Sequence, residues 1–412
     1  MLESERPTRP WETPGEYWPS LTSATAAQDP PYAVLGVEAL AHNAHDMLRR
    51  AGGRPIRVAS KSIRVRGIID ELLALDGYAG VLAYTLPEAL WLASEVDGHA
   101  AIGDVVVGYP TADRSAIRRL ATSSVLAARV TLMVDSVDQL DLIDSAIAPS
   151  DRETIRVCIE LDASWDGPFG HIGVYRSPVH TVAQARSLAE QVVARPGFAL
   201  VGMMGYEAQI AGLTNDPTSS LRGIAVRYIQ RRSMAELAER RAAAVAAVRE
   251  LADLEFVNGG GTGSLESTSR EDAVTEIAAG SGLFGPHLFD GYRHFTPAPA
   301  AAFALAVVRK PKPAMATLLG GGWVASGPPA PDRLPQVVWP PHTHMVANEM
   351  AGEVQTPLTG DAAMVLGVGD RVWLRHTKAG ELSEHVDEFL LVEDGSVVGR
   401  LPTYRGQGKV FL

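Results

Sequence analysis

Eight short apolar runs, each closing on small or polar residues, constrain this chain more than any other feature. They are "IRVASK" (56–61), "GVLAYT" (80–85), "IGDVVVGY" (102–109), "RVTLMVDS" (129–136), "IRVCIELD" (155–162), "ALVGMMGYE" (199–207), "LEFVNGGG" (254–261) and "TEIAAGSG" (275–282). Helical stretches such as 86–95, 180–195 and the Ala/Arg/Glu-rich 222–252 separate many of them. Runs of strand length that look buried and alternate with helical periods predict an α/β fold. Eight such alternations fit a (β/α)8 TIM-type barrel, which needs about 250 residues. A doubly wound open sheet is the alternative. Beyond residue 300 the pattern changes to short strand candidates punctuated by Gly, Pro and Asp-Gly turns, among them "FALAVVRK", "DRVWLRH" and "EFLLVEDGSVVGRLPTY". The expected organisation is an amino-terminal arm over 1–30, a barrel over 31–300 and an all-β domain over 301–412.

Composition narrows the function. Of the 412 residues 46% are hydrophobic and 21% charged, as in an ordinary soluble protein. The net charge of -11 disfavours nucleic acid as a partner, because such proteins present a basic face to phosphates. The opening "MLESERPTRPWETPGEYW" does not read as a signal peptide, and no apolar stretch reaches the roughly 20 residues of a membrane span, so a cytoplasmic protein is expected. The lone cysteine, Cys158, sits inside an apolar run and reads as a small buried hydrophobe.

Lysine is scarce: the chain has five, at 61, 310, 312, 378 and 409, and Lys61 is alone in the first 309 residues. It ends the first strand run, and catalytic groups of a barrel sit where strands end. There it can form a Schiff base if burial or nearby cations lower its pKa, and Arg57, Arg64 and Arg66 are close in sequence. A surface lysine in a strand–helix loop is the plainer alternative. "FVNGGGTGS" (256–264) is a glycine-rich turn directly after a strand, and the next strand ends in another small-residue turn, "AAGSGLFG" (278–285). Each alone reads equally as a tight turn. Together, glycine turns after strands seven and eight are where barrels hold a phosphate. A phosphate clamp there, with a reactive lysine at strand one, suggests pyridoxal phosphate.

These motifs resemble the fold-type III pyridoxal-phosphate enzymes, in the branch containing D-threonine aldolase, D-serine dehydratase and proteins labelled amino acid deaminase/aldolase. The barrel is similar to the alanine racemase amino-terminal domain. The carrying residues are "RVASKS", "GMMGYEAQIAG" (202–212), "NGGGTGS", "TEIAAGSGLFGPHLFDGY" (275–292), "EMAGEVQTPL" and "GDRVWLRHTKAGELSEH". The resemblance implies that Lys61 holds the cofactor, that Tyr206 lies at its ring, and that Gly260, Gly261, Thr262, Gly280 and Ser281 lie near its phosphate. It also implies a homodimer in which one chain's β domain covers the other's site.

The resembled aldolases and dehydratases hold a divalent metal through a His-x-Asp or His-x-Cys pair after a Gly-Asp turn. Here the matching stretch is "RHTKAG": His376 matches the histidine, but Lys378 stands at the second position. An ammonium carries the same sign of charge as a metal ion and cannot ligate it, so the usual metal site is expected to be missing, with Lys378 partly substituting for the cation. His342 with His344, and His385 with Asp387, are weaker pairs. Asp162, His171 and Arg176 are candidates in the loop after strand five, where "WDGPFG" departs from the resembled pattern. The expected substrate is a small amino acid. The expected activity is that of a lyase of D-3-hydroxy amino acids, aldolase or deaminating dehydratase, with Lys61, His376 and Lys378 carrying the acid–base work. Amino acid racemisation is the enzymatic alternative, and a non-catalytic pyridoxal-phosphate-binding protein the third.

Overall fold

The eight apolar runs close on themselves. The computed structural model describes residues 1–167, 170–215, 220–328, 330–378 and 380–412. In it, eight parallel strands form a closed barrel: Ile56–Ala59, Tyr78–Ala83, Val105–Val107, Val130–Val134, Ile155–Glu160, Phe198–Gly205, Phe256–Gly259 and Glu276–Ala279. Each overlaps one run of the sequence. Neighbours pair in chain order, and the eighth strand returns to the first with Ile277 opposite Ile56. Closure leaves no edge strand, so the open sheet is excluded.

Side chains alternate in and out along a strand. The inward set fills the barrel with Leu82, Val106, Met133, Cys158, Val201 and Phe256. Cys158 is fully buried, and burial pushes its thiol well above its ordinary pKa, which makes it inert. At the end where the strands begin, Arg57 donates to Glu276 at 2.6 and 2.9 Å and to Asp104 at 2.8 Å. Asn258 adds a bond to Glu276 at 2.8 Å. A Cβ on Gly80 would collide with the Arg57 guanidinium, and its φ of +69° also favours glycine.

A second compact unit comprises residues 1–46, 62–75 and 280–410, and the barrel unit comprises 47–61, 76–279 and 411–412. The second unit is built on a nine-stranded sheet among the described residues. In that sheet Tyr32–Gly36 lies antiparallel to Ala301–Lys312 and parallel to Glu388–Glu393. Asp394 and Gly395, with φ of 49° and 69°, make the tight hairpin between Glu388–Glu393 and Ser396–Pro402.

The opening residues are not a bare arm. Pro14–Ala24 is a helix, and Tyr17, Trp18 and Leu21 are buried in a cluster with Tyr32, Val34 and Trp373. Pro14 suits the first turn, whereas Pro19 inside the helix costs about 3 kcal/mol. Three large buried side chains, each contributing about 1.5–3 kcal/mol, outweigh it. Tertiary burial thus decides a segment whose local composition disfavours helix, and the second unit includes helices and residues well before 301. No helix among the described residues is long and apolar enough to cross a membrane.

Candidate active site

Lys61 sits on a single 3-10 turn, Ser60–Ser62, directly after the first barrel strand. Ser60 is fully buried and its hydroxyl donates to the Leu82 carbonyl at 3.1 Å, tying the turn to the second strand. Ser62 lies on the other side of the lysine, its hydroxyl 3.3 Å from that of Ser281. The two serines therefore hold the turn, while Lys61 is exposed in a cleft of about 540 Å³ that Tyr84, Tyr109 and Arg176 also line. The neighbouring arginines do not supply the expected cationic field. Arg57 is matched by Glu276 and Asp104, Arg64 by Glu384 and Arg66 by Asp70, which cancels their charge.

Arg176 is different. Its side chain makes no hydrogen bond or ion pair with any described residue, and its guanidinium lies 5.2 Å from the Tyr206 ring centre and 5.6 Å from that of Tyr109. Stacking holds the cation while leaving its donors for a ligand. Burial pushes the Tyr206 hydroxyl up to about 12, so it stays protonated. Glu160 ends the fifth barrel strand and is 6% exposed. Burial pushes its carboxyl up to about 7; Arg176 opposes the rise, and Asp135 and Asp162 add to it. A folded-state pKa above the ordinary carboxylate value contributes stability that is full below that ordinary value and is lost as pH rises through about 7. Ionised Glu160 also offsets the Arg176 charge. A KM for a carboxylate substrate that rises above about pH 7 is the expected profile, and Glu160→Gln should flatten it. Parallel profiles in the two proteins would show that Glu160 does not titrate against the site.

The glycine turn after strand seven is braced from behind. Gly260 has φ +80°, and a Cβ there would come 2.7 Å from Ile277; one on Gly261 would come 2.9 Å from Ala211 and 3.2 Å from Tyr206. The Gly260 amide donates to Glu207 at 3.0 Å and the Gly261 amide to the Ser264 hydroxyl at 3.2 Å. These two amides, expected as anion donors, are occupied in shaping the loop. The Thr262 carbonyl accepts from Arg50 at 2.6 Å. Glu207, 1% exposed, also accepts from Arg241 at 3.0 Å, Thr268 at 2.5 Å and Ser264 at 3.3 Å. Arg241 in turn reaches Glu271 at 2.7 Å. Burial alone would weaken the Arg241 cation, but Glu207 and Glu271 more than offset it and raise its pKa.

Gly280, Ser281, His376, Lys378 and the pairs His342/His344 and His385/Asp387 belong to the second unit. Gly280 precedes the short helix Ser281–Phe284. His376 is buried rather than solvated, at 4% exposure, with Phe284 edge-on at 6.4 Å. Neither of its nitrogens makes a well-formed hydrogen bond with a described residue. Burial drives its pKa down to about 3, with a weak Ala301 backbone contact acting the other way, so it is neutral. Lys378 is half-buried, its amine 3.5 Å from the Ser326 carbonyl. His385 stacks on Trp323 at 4.8 Å, and Asp387 pairs with Arg405. His344 begins a two-residue strand, and His342 stands before it with φ 60°. In the loop after strand five, Asp162 accepts from His180 at 2.9 Å, and His171 stacks on Tyr175 at 4.3 Å; Pro168 and Phe169 of "WDGPFG" lie outside the described residues.

Among the described residues no three metal-ligating side chains converge. Metal analysis of the purified protein is expected to find no stoichiometric zinc or manganese, and His376→Ala to leave that unchanged. About one ion per chain, lost with that substitution, would overturn it.

The barrel unit suits pyridoxal phosphate in kind: an exposed amine on a held turn, aromatic walls, an arginine without an ion pair among the described residues, and a loop with no room for side chains at Gly260 and Gly261. Sequence reading missed Glu160, Glu207 and Tyr109. Each stands at or just after the end of a barrel strand, and that position is the signal that could have flagged them.

Residues 36–287, more than half of the chain, match the family model described as alanine racemase, N-terminal domain. A 3-hydroxy-D-aspartate aldolase of Paracoccus denitrificans is 28% identical over 264 residues, covering 62% of this chain and 60% of that relative. The match therefore spans about three fifths of the relative's length. A D-threonine aldolase of Arthrobacter sp. is 26% identical over 359 residues, covering 84% of this chain and 82% of the relative. Among solved structures, the D-threonine aldolase from Filomicrobium marinum superposes with a TM-score of 0.72 at 20% identity, covering 93% of this chain and 96% of the other, a likeness of fold. With its closed barrel and the match over 36–287, the chain belongs to the alanine racemase N-terminal domain family.

Proposed function

We propose that this chain is a pyridoxal-phosphate-dependent lyase of D-3-hydroxy amino acids. The observation that carries it is Lys61, exposed on its serine-braced turn in a cleft that it shares with an arginine stacked on Tyr109 and Tyr206. Relatives acting on D-threonine and 3-hydroxy-D-aspartate support the substrate class. Lys61 Nζ is the amine that would hold the cofactor, with the Gly260–Thr262 loop toward its phosphate and Tyr206 toward its ring. The bound cofactor supplies an electron sink for negative charge at the substrate Cα. Arg176 orients the substrate carboxylate through its free donors. Lys61 Nζ, the one lysine lining the cleft among the described residues, is the group available to take a proton from the β-hydroxyl or give one back. Neutral His376 and the Lys378 ammonium are the proposed aids to hydroxyl chemistry in a homodimer, with the ammonium standing in for a metal ion.

The test is product analysis with D-threonine, D-serine and 3-hydroxy-D-aspartate. Glycine plus an aldehyde or glyoxylate identifies cleavage, and a keto acid with ammonia identifies dehydration. The family match favours one second reading, racemisation, which would appear as the opposite enantiomer with neither product. Gel filtration of the same preparation reads the dimer.

A further inference from the structure

A cleft that offers an amine at Lys61 must also house the rest of the amino acid, and its walls state which side chains suit it. This inference rests on the lyase reading, in which the substrate amine comes to Lys61. Arg176 is the other cation lining the cleft and meets the α-carboxylate. What remains for the group on Cβ is a wall formed by Tyr84, Leu86, Pro87, Pro110, Phe411 and Leu412. Asp113 is the acidic side chain lining the same cleft among the described residues. It accepts from the Ala116 and Ser115 amides at 3.0 Å each, and these bonds, with the Ser115 hydroxyl, hold its pKa below the ordinary range. It is therefore anionic at neutral pH and repels a second carboxylate on a substrate.

Phe411 is a held part of that wall. Its ring centre lies 5.7 Å from that of Trp91, itself 7% exposed, and 6.4 Å from that of Tyr84, which it meets edge-on. It also lies far outside residues 36–287, so the family match says nothing of it. We infer that Phe411, backed by Trp91, selects D-3-hydroxy amino acids carrying an alkyl or aryl group on Cβ over those carrying a second carboxylate. The apolar wall favours the former by burial, and Asp113 disfavours the latter by charge.

The experiment compares kcat/KM of the holoenzyme for D-threo-3-phenylserine, D-threonine and D-threo-3-hydroxyaspartate. Wild type should favour the aryl substrate over the dicarboxylate by about tenfold or more. Phe411→Ala should cut the aryl value about tenfold and the D-threonine value less than about threefold. Phe411→Leu should keep the order, and Phe411→Arg should move it toward the dicarboxylate. A wild-type preference for hydroxyaspartate overturns the inference. So does an equal loss on all three substrates in Phe411→Ala with unchanged cofactor absorbance, because that is the mark of a structural role. If wild type cleaves none of the three, the lyase reading fails by itself. The selection is then read from binding, as the change in visible absorption with D-phenylalanine against D-aspartate, and equal Kd values sink it.

Discussion

Lys61→Ala is expected to give a folded, colourless protein that keeps no reducible link to pyridoxal phosphate and turns over D-3-hydroxy amino acids at least about a thousandfold more slowly. The loss is chemical rather than structural. Ser60 and Ser62 hold the turn and the lysine is exposed, so stability should change by about 1 kcal/mol or less. Borohydride reduction followed by peptide mapping checks the wild type: the label should fall on the peptide containing position 61. A Lys61→Ala protein that remains yellow and equally active would end the assignment.

The second large effect belongs to Glu207, which touches no cleft residue directly and braces the glycine loop. Glu207→Ala removes the acceptor of the Gly260 amide, the Thr268 hydroxyl and one Arg241 nitrogen, all buried. A buried cation that loses one of its two carboxylate partners, together with orphaned buried donors, costs on the order of 3 kcal/mol. Glu207→Gln keeps the shape and one acceptor oxygen for these donors, so it should cost less than the alanine variant. Urea unfolding of the holoprotein reads both as a fall in midpoint at unchanged slope. Because Gly260 and Gly261 are held by this network, the alanine variant should also bind pyridoxal phosphate more weakly. A shift in the alanine variant worth less than about 1 kcal/mol would show that the loop is held by other means.

The barrel was legible because its strands are apolar over their whole length and end in small or polar residues; all eight runs overlap an observed strand. The amino-terminal helix was not. Its buried face of Tyr17, Trp18 and Leu21 is set by Trp373, more than 350 positions away, and two prolines mask the helical period. Lys61 stood out through scarcity, a property of one residue. Glu207 did not, because its meaning lies in partners at 241, 260, 264 and 268 that only the closed barrel gathers. The same limit misjudged Arg57. In sequence it looked like a cation next to the lysine, yet its charge is matched by Glu276, which lies 219 residues onward. For His376 sequence gave position but not environment: the motif places it beside Lys378, whereas packing against Phe284 makes it neutral.

The Arg57–Glu276 pair and the packed layer around Phe256 stopper the barrel from below. Among the described residues the barrel core therefore gives no passage to the Lys61 cleft, which is reached from the side where the strands end. Whatever is released must leave by the route that the next molecule uses to arrive, so a lingering product blocks entry and would act as a rival of the incoming amino acid.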